Sequence, residues 1–375
     1  MKSLISEAVT FWDEKRKEGP LRGRSISIAG REIGLGLKPF VIAEVSGNHN
    51  GSLERALEIM EAAKQAGADA IKLQTYTPDT LTISCDGDDF RIKEGLWKGM
   101  TLYELYEQAH TPWEWHEQLF EKGRELGIPV FSTPFDETAV DFIEQFDPPA
   151  YKIASFEIVD LELIRKVAST GKPVILSTGM ASRNEIDEAV AAVTDAGCKE
   201  LALLYCVSGY PTPIDEANLA NLSQLAQRYR TVVGLSDHTH GIVAAIVSVA
   251  YGACLIEKHF TLNRADGGPD ADFSLEPQEM AELCRQTELA WKSVGVMSEA
   301  RKPSEEKMAL FRRSLYVVKD VDASEPFTRE NVRCIRPGFG ILPKHFPEIL
   351  GRRAKRALKR GTPLRWDAIE GGDAS

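Results

Sequence analysis

The sequence is short of cysteine. It has six (85, 198, 206, 254, 284 and 334) in a chain of 375 residues, with no C-x-x-C pair and no dense framework. That excludes a disulfide scaffold and predicts a reduced, cytoplasmic setting. A long apolar run is also missing. The longest uncharged run after residue 200, Gly241 to Ile256, falls short of the roughly 20 residues a bilayer span needs, and it reads as the end of one element and the start of the next. The opening string MKSLISEAVTFWDEKRKEG scatters charges through its apolar residues, unlike a signal peptide. Basic side chains are outnumbered, 45 against 56, for a formal charge of −11. The bulk field therefore argues against a nucleic-acid binder, and any anionic ligand must meet a local positive site.

Several common motifs are missing too. Gly34-Leu-Gly36 runs into Pro39 where a dinucleotide fingerprint needs its third glycine. There is no Walker A motif and no G-x-S-x-G elbow. His116-Glu117 is followed by Phe120 where a zincin helix has its second histidine.

What is present is ordinary globular material, 43% hydrophobic and 27% charged. Its length suits one large domain and one small one. The charge is uneven. Residues 301–375 hold 17 Lys and Arg against 10 Asp and Glu, a net of +7, which leaves −18 for the rest. A basic module beside an acidic body suggests docking, within the chain or between subunits, with a solvated basic surface as the alternative.

From residue 39 a β-branched run, a turn and an amphipathic stretch repeat. The runs are PFVIAEV (39–45), AIKLQT (70–75), PVFST (129–133), AYKIAS (150–155), PVILST (173–178), LALLYC (201–206), TVVGLS (231–236) and ACLIEKHF (253–260). Helical patterns lie between them, at 53–66, 136–146, 161–169, 183–196, 242–251 and 277–294. Eight strand–helix units over about 250 residues predict a (β/α)8 TIM barrel. A doubly wound sheet rarely needs eight. Residues 76–111 form an insertion long enough to be a substrate loop or lid, with an acidic patch at Asp86, Asp88 and Asp89. The expected organisation is an N-terminal helix and hairpin over 1–38, the barrel over 39–297, a linker over 298–313 and a small β-rich domain over 314–375. The hairpin would plug the barrel bottom.

Chemistry in such barrels sits at the C-terminal strand ends. Here those ends carry Glu44, Lys72 with Gln74, Thr133, Lys152 with Ser155, Ser177, Ser236 with His238, and Glu257 with His259, and Tyr210 follows the sixth. Residues two apart share a strand face. Two lysines ringed by hydroxyls suit a small, multiply charged anion. The plainer reading is a lysine paired with a glutamate. Alternatively, one lysine forms a Schiff base. His238 and His259 end consecutive strands and make half of a site for a divalent ion such as Mn2+, Fe2+ or Zn2+. Asp237 and Glu257 flank the pair and are read as orienting the imidazoles or binding sugar hydroxyls. Glu44 is a candidate general acid/base; otherwise it forms a salt bridge with Lys72.

Beyond these features, the strings IAEVSGNHNGSLERALEIMEAAKQAGADAIKLQTY, FSTPFD, YKIASFE, ILSTGM, CVSGYPTP, GLSDHT and EKHFTL resemble, in order, the sialic acid synthase family. SLYVVKDVDASEPFTRENVRCIRPG is similar to that family's antifreeze-like (SAF) domain. The insertion DDFRIKEGLWKGMTLYELYEQAHTPWEWH and the tail RPGFGILPKHFPEILGRRA resemble its pseudaminic acid branch rather than the N-acetylneuraminate or legionaminate branches. The resemblance implies a metal-dependent condensation of phosphoenolpyruvate with 2,4-diacetamido-2,4,6-trideoxy-L-altrose and water. It places Lys72, Thr133, Lys152, Ser155, Ser177 and Ser236 on phosphoenolpyruvate, with Ser208 where the neuraminate branch has an asparagine. It makes His238 and His259 ligands to Mn2+, with Mg2+ or Co2+ as alternatives, and Glu44 the acid/base. It sets Gln74, Tyr210, Glu257 and Asp270 beside the sugar. It also implies a domain-swapped homodimer, in which Arg336 reaches the partner barrel. Competing readings are a Schiff-base sialic acid lyase and a non-catalytic glycan-binding protein.

Overall fold

The computed structural model describes residues 25–295 and 299–372. The helix expected before residue 25 lies outside them. Two compact units divide near residue 296.

In the first unit, β3 (Phe40–Glu44), β4 (Ala70–Thr75), β5 (Val130–Pro134), β6 (Tyr151–Ile153), β7 (Val174–Ser177), β8 (Leu201–Cys206), β9 (Val232–Asp237) and β10 (Leu255–His259) close into one barrel. All neighbours are parallel, and β10 pairs back onto β3. Each strand lies within two residues of a run expected from the sequence, and the barrel is the predicted TIM architecture.

Strand alternation sorts the side chains into two cores. Outward-facing Val41, Ala43, Ile71, Leu73, Leu176 and Leu203 pack against the helices. Inward-facing Phe40, Ile42, Ala70, Phe131, Ala150, Ile175, Ala202, Leu204 and Leu255 fill the barrel's lower half. Space there is tight: a Cβ on Gly234 would lie 2.4 Å from the Leu255 carbonyl and 2.6 Å from Leu204. The antiparallel hairpin of β1 (Ser25–Ile28) and β2 (Arg31–Gly34) adds Ile26, Ile28 and Ile33 to this inner core. It thereby closes the end opposite the C-terminal strand ends.

The helices follow from local chemistry. Leu53–Ala66 starts where the Ser52 hydroxyl accepts the Arg55 amide, and it stops at left-handed Gly67 (φ 90°). Ala56, Ile59, Met60 and Ala63, spaced three and four apart or adjacent on one stripe, are its buried face. The insertion contributes the short helix Pro78–Leu81 and the helix Leu102–Ala109, the latter begun by a Thr101–Glu104 capping box. No helix among the described residues is long and apolar enough to cross a membrane.

The second unit holds β11 (Ser314–Val317), antiparallel to β12 (Val332–Ile335), around a core of Leu315, Val317, Phe327, Val332, Ile349 and Leu364. The rest of its sheet character is isolated bridges, such as Val321 to Leu358 and Ala354 to Ile369. The stretch expected as linker makes two short helical turns, Pro303–Glu306 and Lys307–Phe311.

Candidate active site

Above the apolar layers the same inward-facing series turns polar. Glu44 continues Phe40 and Ile42; Lys72 continues Ala70; Thr133 follows Phe131; Lys152 follows Ala150; Ser177 follows Ile175; Glu257 and His259 follow Leu255. All are buried. Register brings Glu44 beside Lys72 on one side and His259 on the other.

The Lys72 ammonium lies 2.6 Å from Glu44 Oε2 and donates to Thr133 Oγ1 at 2.9 Å. Gln74 donates to the other Glu44 oxygen at 2.9 Å. Across the cup, Lys152 Nζ is 3.7 Å from Glu257 Oε1, which also accepts the Ser236 hydroxyl at 2.9 Å. The salt-bridge reading and the anion-cup reading of these lysines thus describe one network. Ser155 accepts the Gly179 amide at 3.2 Å. Ser208 closes on the same glycine, since a Cβ there would lie 2.2 Å from Ser208 Oγ and 2.7 Å from Ser155 Oγ. Ser177 Oγ is buried without a hydrogen-bond partner among the described residues, a donor left for a ligand.

Charge is finely divided in this cup. Burial, helped by the neighbouring Glu257, pushes the Glu44 carboxyl up to about 7 against the pull of Lys72. Burial also works against ionisation of Glu257, but Lys152, Lys72 and the Ser236 hydroxyl outweigh it and hold that carboxyl below its usual value. Burial lowers Lys152, whereas Glu257 and Glu44 outweigh burial at Lys72 and raise it. One carboxyl is thus poised to exchange a proton near neutrality while the other stays ionised.

The imidazoles of His238 and His259 lie side by side, 5.3 Å between ring centres. His238 Nδ1 is 3.1 Å from the Val207 carbonyl, which can only accept, so Nδ1 carries the proton and Nε2 is free. His259 Nδ1 is 3.1 Å from Ser46 Oγ and 3.8 Å from Asp270. Burial, then His238 and Lys72, depress His259 well below its ordinary value and keep it neutral. Two imidazoles side by side, each with Nδ1 engaged behind it, fit a divalent cation. Among the described residues no three His, Cys, Asp or Glu side chains close on one point. Such an ion would take its other ligands from water and substrate oxygens.

Tyr210 sits on the rim, its ring 4.5 Å from His238 and 5.9 Å from Trp97 of the insertion. Trp97 Nε1 in turn donates to the Pro269 carbonyl at 2.8 Å, so the insertion reaches the loop carrying Asp270. Arg336 belongs to the second unit, at a cis peptide with Pro337. One expectation is corrected. Asp237 faces out of the barrel, 3.0 Å from buried Lys258, and its other oxygen accepts the Thr239 amide. Strand parity explains this, since Ser236 and His238 take the inward positions and leave 237 outward.

Sequence reasoning passed over three residues. Ser46 lies behind His259. Cys206 Sγ lies 3.7 Å from His238 Nδ1, and strand parity alone aims it inward. Glu157, on the turn after β6, has a buried oxygen with no hydrogen-bond partner among the described residues, and burial raises its carboxyl to about 7.

A closed barrel whose mouth holds two lysines, a ring of hydroxyls and paired imidazoles defines an enzyme-type site. Comparison with known proteins narrows the class. The chain belongs to the NeuB family, whose model matches residues 59–299, and an SAF domain matches residues 312–370. The pseudaminic acid synthase of Campylobacter jejuni is 45% identical over 342 residues, 90% of this chain and 96% of that one. That of Helicobacter pylori is 44% identical, covering 88% and 98%. The N-acetylneuraminic acid synthetase of Leptospira borgpetersenii, solved with citrate, is 32% identical with a TM-score of 0.69, covering 76% of this chain and 95% of that one.

Proposed function

We propose that this chain is a pseudaminic acid synthase, joining phosphoenolpyruvate to 2,4-diacetamido-2,4,6-trideoxy-L-altrose with water to give pseudaminic acid and phosphate. The observation that carries the reading is the shared mouth of Lys72, Lys152, His238 and His259. Identity favours the pseudaminate branch, at 44–45% against 32% for the N-acetylneuraminic acid synthetase.

In this reading Lys72 and Lys152 meet the phosphate and carboxylate charges, and the hydroxyls of Thr133, Ser155, Ser177, Ser208 and Ser236 complete the cradle. Gln74, Tyr210, Glu257 and Asp270 line the sugar side, with Arg336 supplied by a second copy of the chain. A divalent cation, Mn2+ in this proposal, held on Nε2 of His238 and His259 would supply Lewis acidity toward the sugar aldehyde oxygen. The cradle holds phosphoenolpyruvate with C3 over the aldehyde carbon, removing much of the entropic barrier to the new C–C bond. Glu44 in its ionised form accepts a proton from the water that adds at C2 and returns it to the former aldehyde oxygen, while the tetrahedral intermediate collapses to the ketone and phosphate leaves by C–O cleavage. Unpaired thiols at all six cysteines suit a reducing, cytoplasmic compartment.

The test offers purified protein, phosphoenolpyruvate and Mn2+ the L-altro sugar, N-acetylmannosamine and the legionaminate precursor in parallel, reading phosphate release. The L-altro sugar should turn over fastest. Preference for either alternative would move the chain to another branch.

A further inference from the structure

The insertion after β4 contains a hairpin, 92–100, that reaches across the mouth. Its base is closed by the backbone. The Ile92 amide donates to the Met100 carbonyl at 2.9 Å, and the Gly99 amide donates to the Ile92 carbonyl at 2.9 Å. Arg91 and Thr101 bridge just below. The tip (93–96, 98 and 99) is exposed, its leucine, Leu96, included. Within this tip Trp97 turns inward and is partly buried.

Two contacts hold Trp97. Its Nε1 donates to the Pro269 carbonyl at 2.8 Å, and its ring lies 5.9 Å from that of Tyr210. Docking the insertion requires neither. The helix Leu102–Ala109 is already seated through Tyr106, whose ring meets that of Tyr76 at 5.8 Å, and through Ala109, packed so closely on Gly47 that a Cβ there would lie 3.1 Å from the alanine Cβ.

Both contacts land on the sugar half of the mouth. Pro269 immediately precedes Asp270, and Tyr210 packs on His238 at 4.5 Å and on Phe273 at 5.5 Å. From behind, the Asp270 loop is held by the Ser274 hydroxyl, which donates to the Asp270 carbonyl at 2.6 Å and accepts from Asn48 at 2.8 Å. On the mouth side Trp97 supplies the matching restraint. Neither of its two contacts involves the lysines of the anion cup.

We infer that Trp97 is a positioning residue for the sugar: through one hydrogen bond and one ring contact it latches Tyr210 and the Asp270 loop in the geometry that receives an acetamido sugar. The insertion thereby shapes the sugar half of the site and leaves the anion cup alone. The inference rests on the proposed function for the sugar, though not for the latch itself.

The experiment uses the full chain with Trp97→Phe, which keeps a ring on Tyr210 and removes the donor, and with Trp97→Ala, which removes both. Kinetics give separate KM values for phosphoenolpyruvate and for whichever of the three sugars the parent prefers. Amide hydrogen exchange over 92–100, without substrates, reads how often the hairpin opens. A melting curve reads global stability. The sugar KM should rise about 2–10-fold in Trp97→Phe and about 4–100-fold in Trp97→Ala, since a neutral hydrogen bond and an aromatic pair are each worth roughly 2–10-fold. The KM for phosphoenolpyruvate and the melting temperature should change little, and exchange should quicken in the same order. Faster exchange with an unchanged sugar KM would make Trp97 a structural anchor and overturn the role. Equal rises in both KM values would overturn it as well, by showing a general disturbance of the mouth. Unchanged exchange in Trp97→Ala would remove the latch. A parent that turned over no sugar would bring down the proposed function and the sugar role with it, and exchange would still decide whether Trp97 holds the hairpin.

Discussion

The Lys72 ammonium and the Glu44 carboxylate meet at 2.6 Å in the barrel mouth, and yet Glu44 holds its proton up to about pH 7. Burial outweighs even a lysine at contact distance, with the second carboxylate, Glu257, adding to it. Near neutrality a buried acid of this kind can accept a proton and later return it.

That balance sets a pH dependence. The ionised form is the one assigned to the water step, so kcat/KM should fall as pH drops through about 7, the value for the free protein. In Glu44→Gln that limb should vanish and turnover fall by about 10²-fold or more, the usual worth of a general base, with phosphoenolpyruvate affinity changed far less. Equal losses in turnover and affinity would reassign Glu44 to binding.

Lys152 is buried, and its amine is held below its ordinary value by burial and by Lys72. Such an amine suits a Schiff base as well as an anion site, so the two roles need separating. In the anion role Lys152→Met removes a charge-assisted contact worth about 2 kcal/mol, roughly a 30-fold rise in KM for phosphoenolpyruvate. Borohydride added during turnover should leave the unaltered enzyme active and unmodified. An adduct seen by mass spectrometry on Lys72 or Lys152 would turn the reading toward a lyase.

Gly179 offers a steric test of the cradle. An alanine Cβ there would fall 2.2 Å from Ser208 Oγ and 2.7 Å from Ser155 Oγ. Both hydroxyls must swing away, and a loss of about 1–3 kcal/mol in binding, roughly 5–160-fold in KM for phosphoenolpyruvate, should follow. The melting temperature should move little, because the far ends of two serines give way rather than backbone. An unchanged KM would show that neither hydroxyl touches the substrate.

His116 predicts how stability depends on pH. It is fully buried, its Nε2 is 2.7 Å from Thr75 Oγ1, and its ring packs against Phe142 and Phe146. Burial lowers it from 6.5 to about 4. The folded state therefore binds a proton less readily than the unfolded chain. Stability is fully present above pH 6.5 and is lost as pH falls toward 4, by up to about 3 kcal/mol. His116→Gln should flatten that slope in melting curves between pH 7 and 4. A variant with the parent's slope would place the acid sensitivity elsewhere.

Much of this molecule was legible in its sequence. Period-two runs and turn residues are local signals, so the eight strands and most of the helices could be placed within a few residues. Parity along a strand also put Lys72 with Gln74, and Ser236 with His238, on one face. What parity gives for one strand it withholds from its neighbour. Asp237 looked like a partner for the imidazoles, and the structure turns it outward to Lys258.

The sequence alone determined the barrel and the kind of chemistry its strand ends could carry, because side-chain periodicity and residue type are properties of neighbours along the chain. Only the tertiary structure decided which groups meet at the mouth. Ser46, His259 and Asp270 come from opposite ends of the barrel sequence and meet because β10 closes onto β3. Burial likewise set Glu44 and Glu257 apart, since desolvation depends on what surrounds a carboxyl in space.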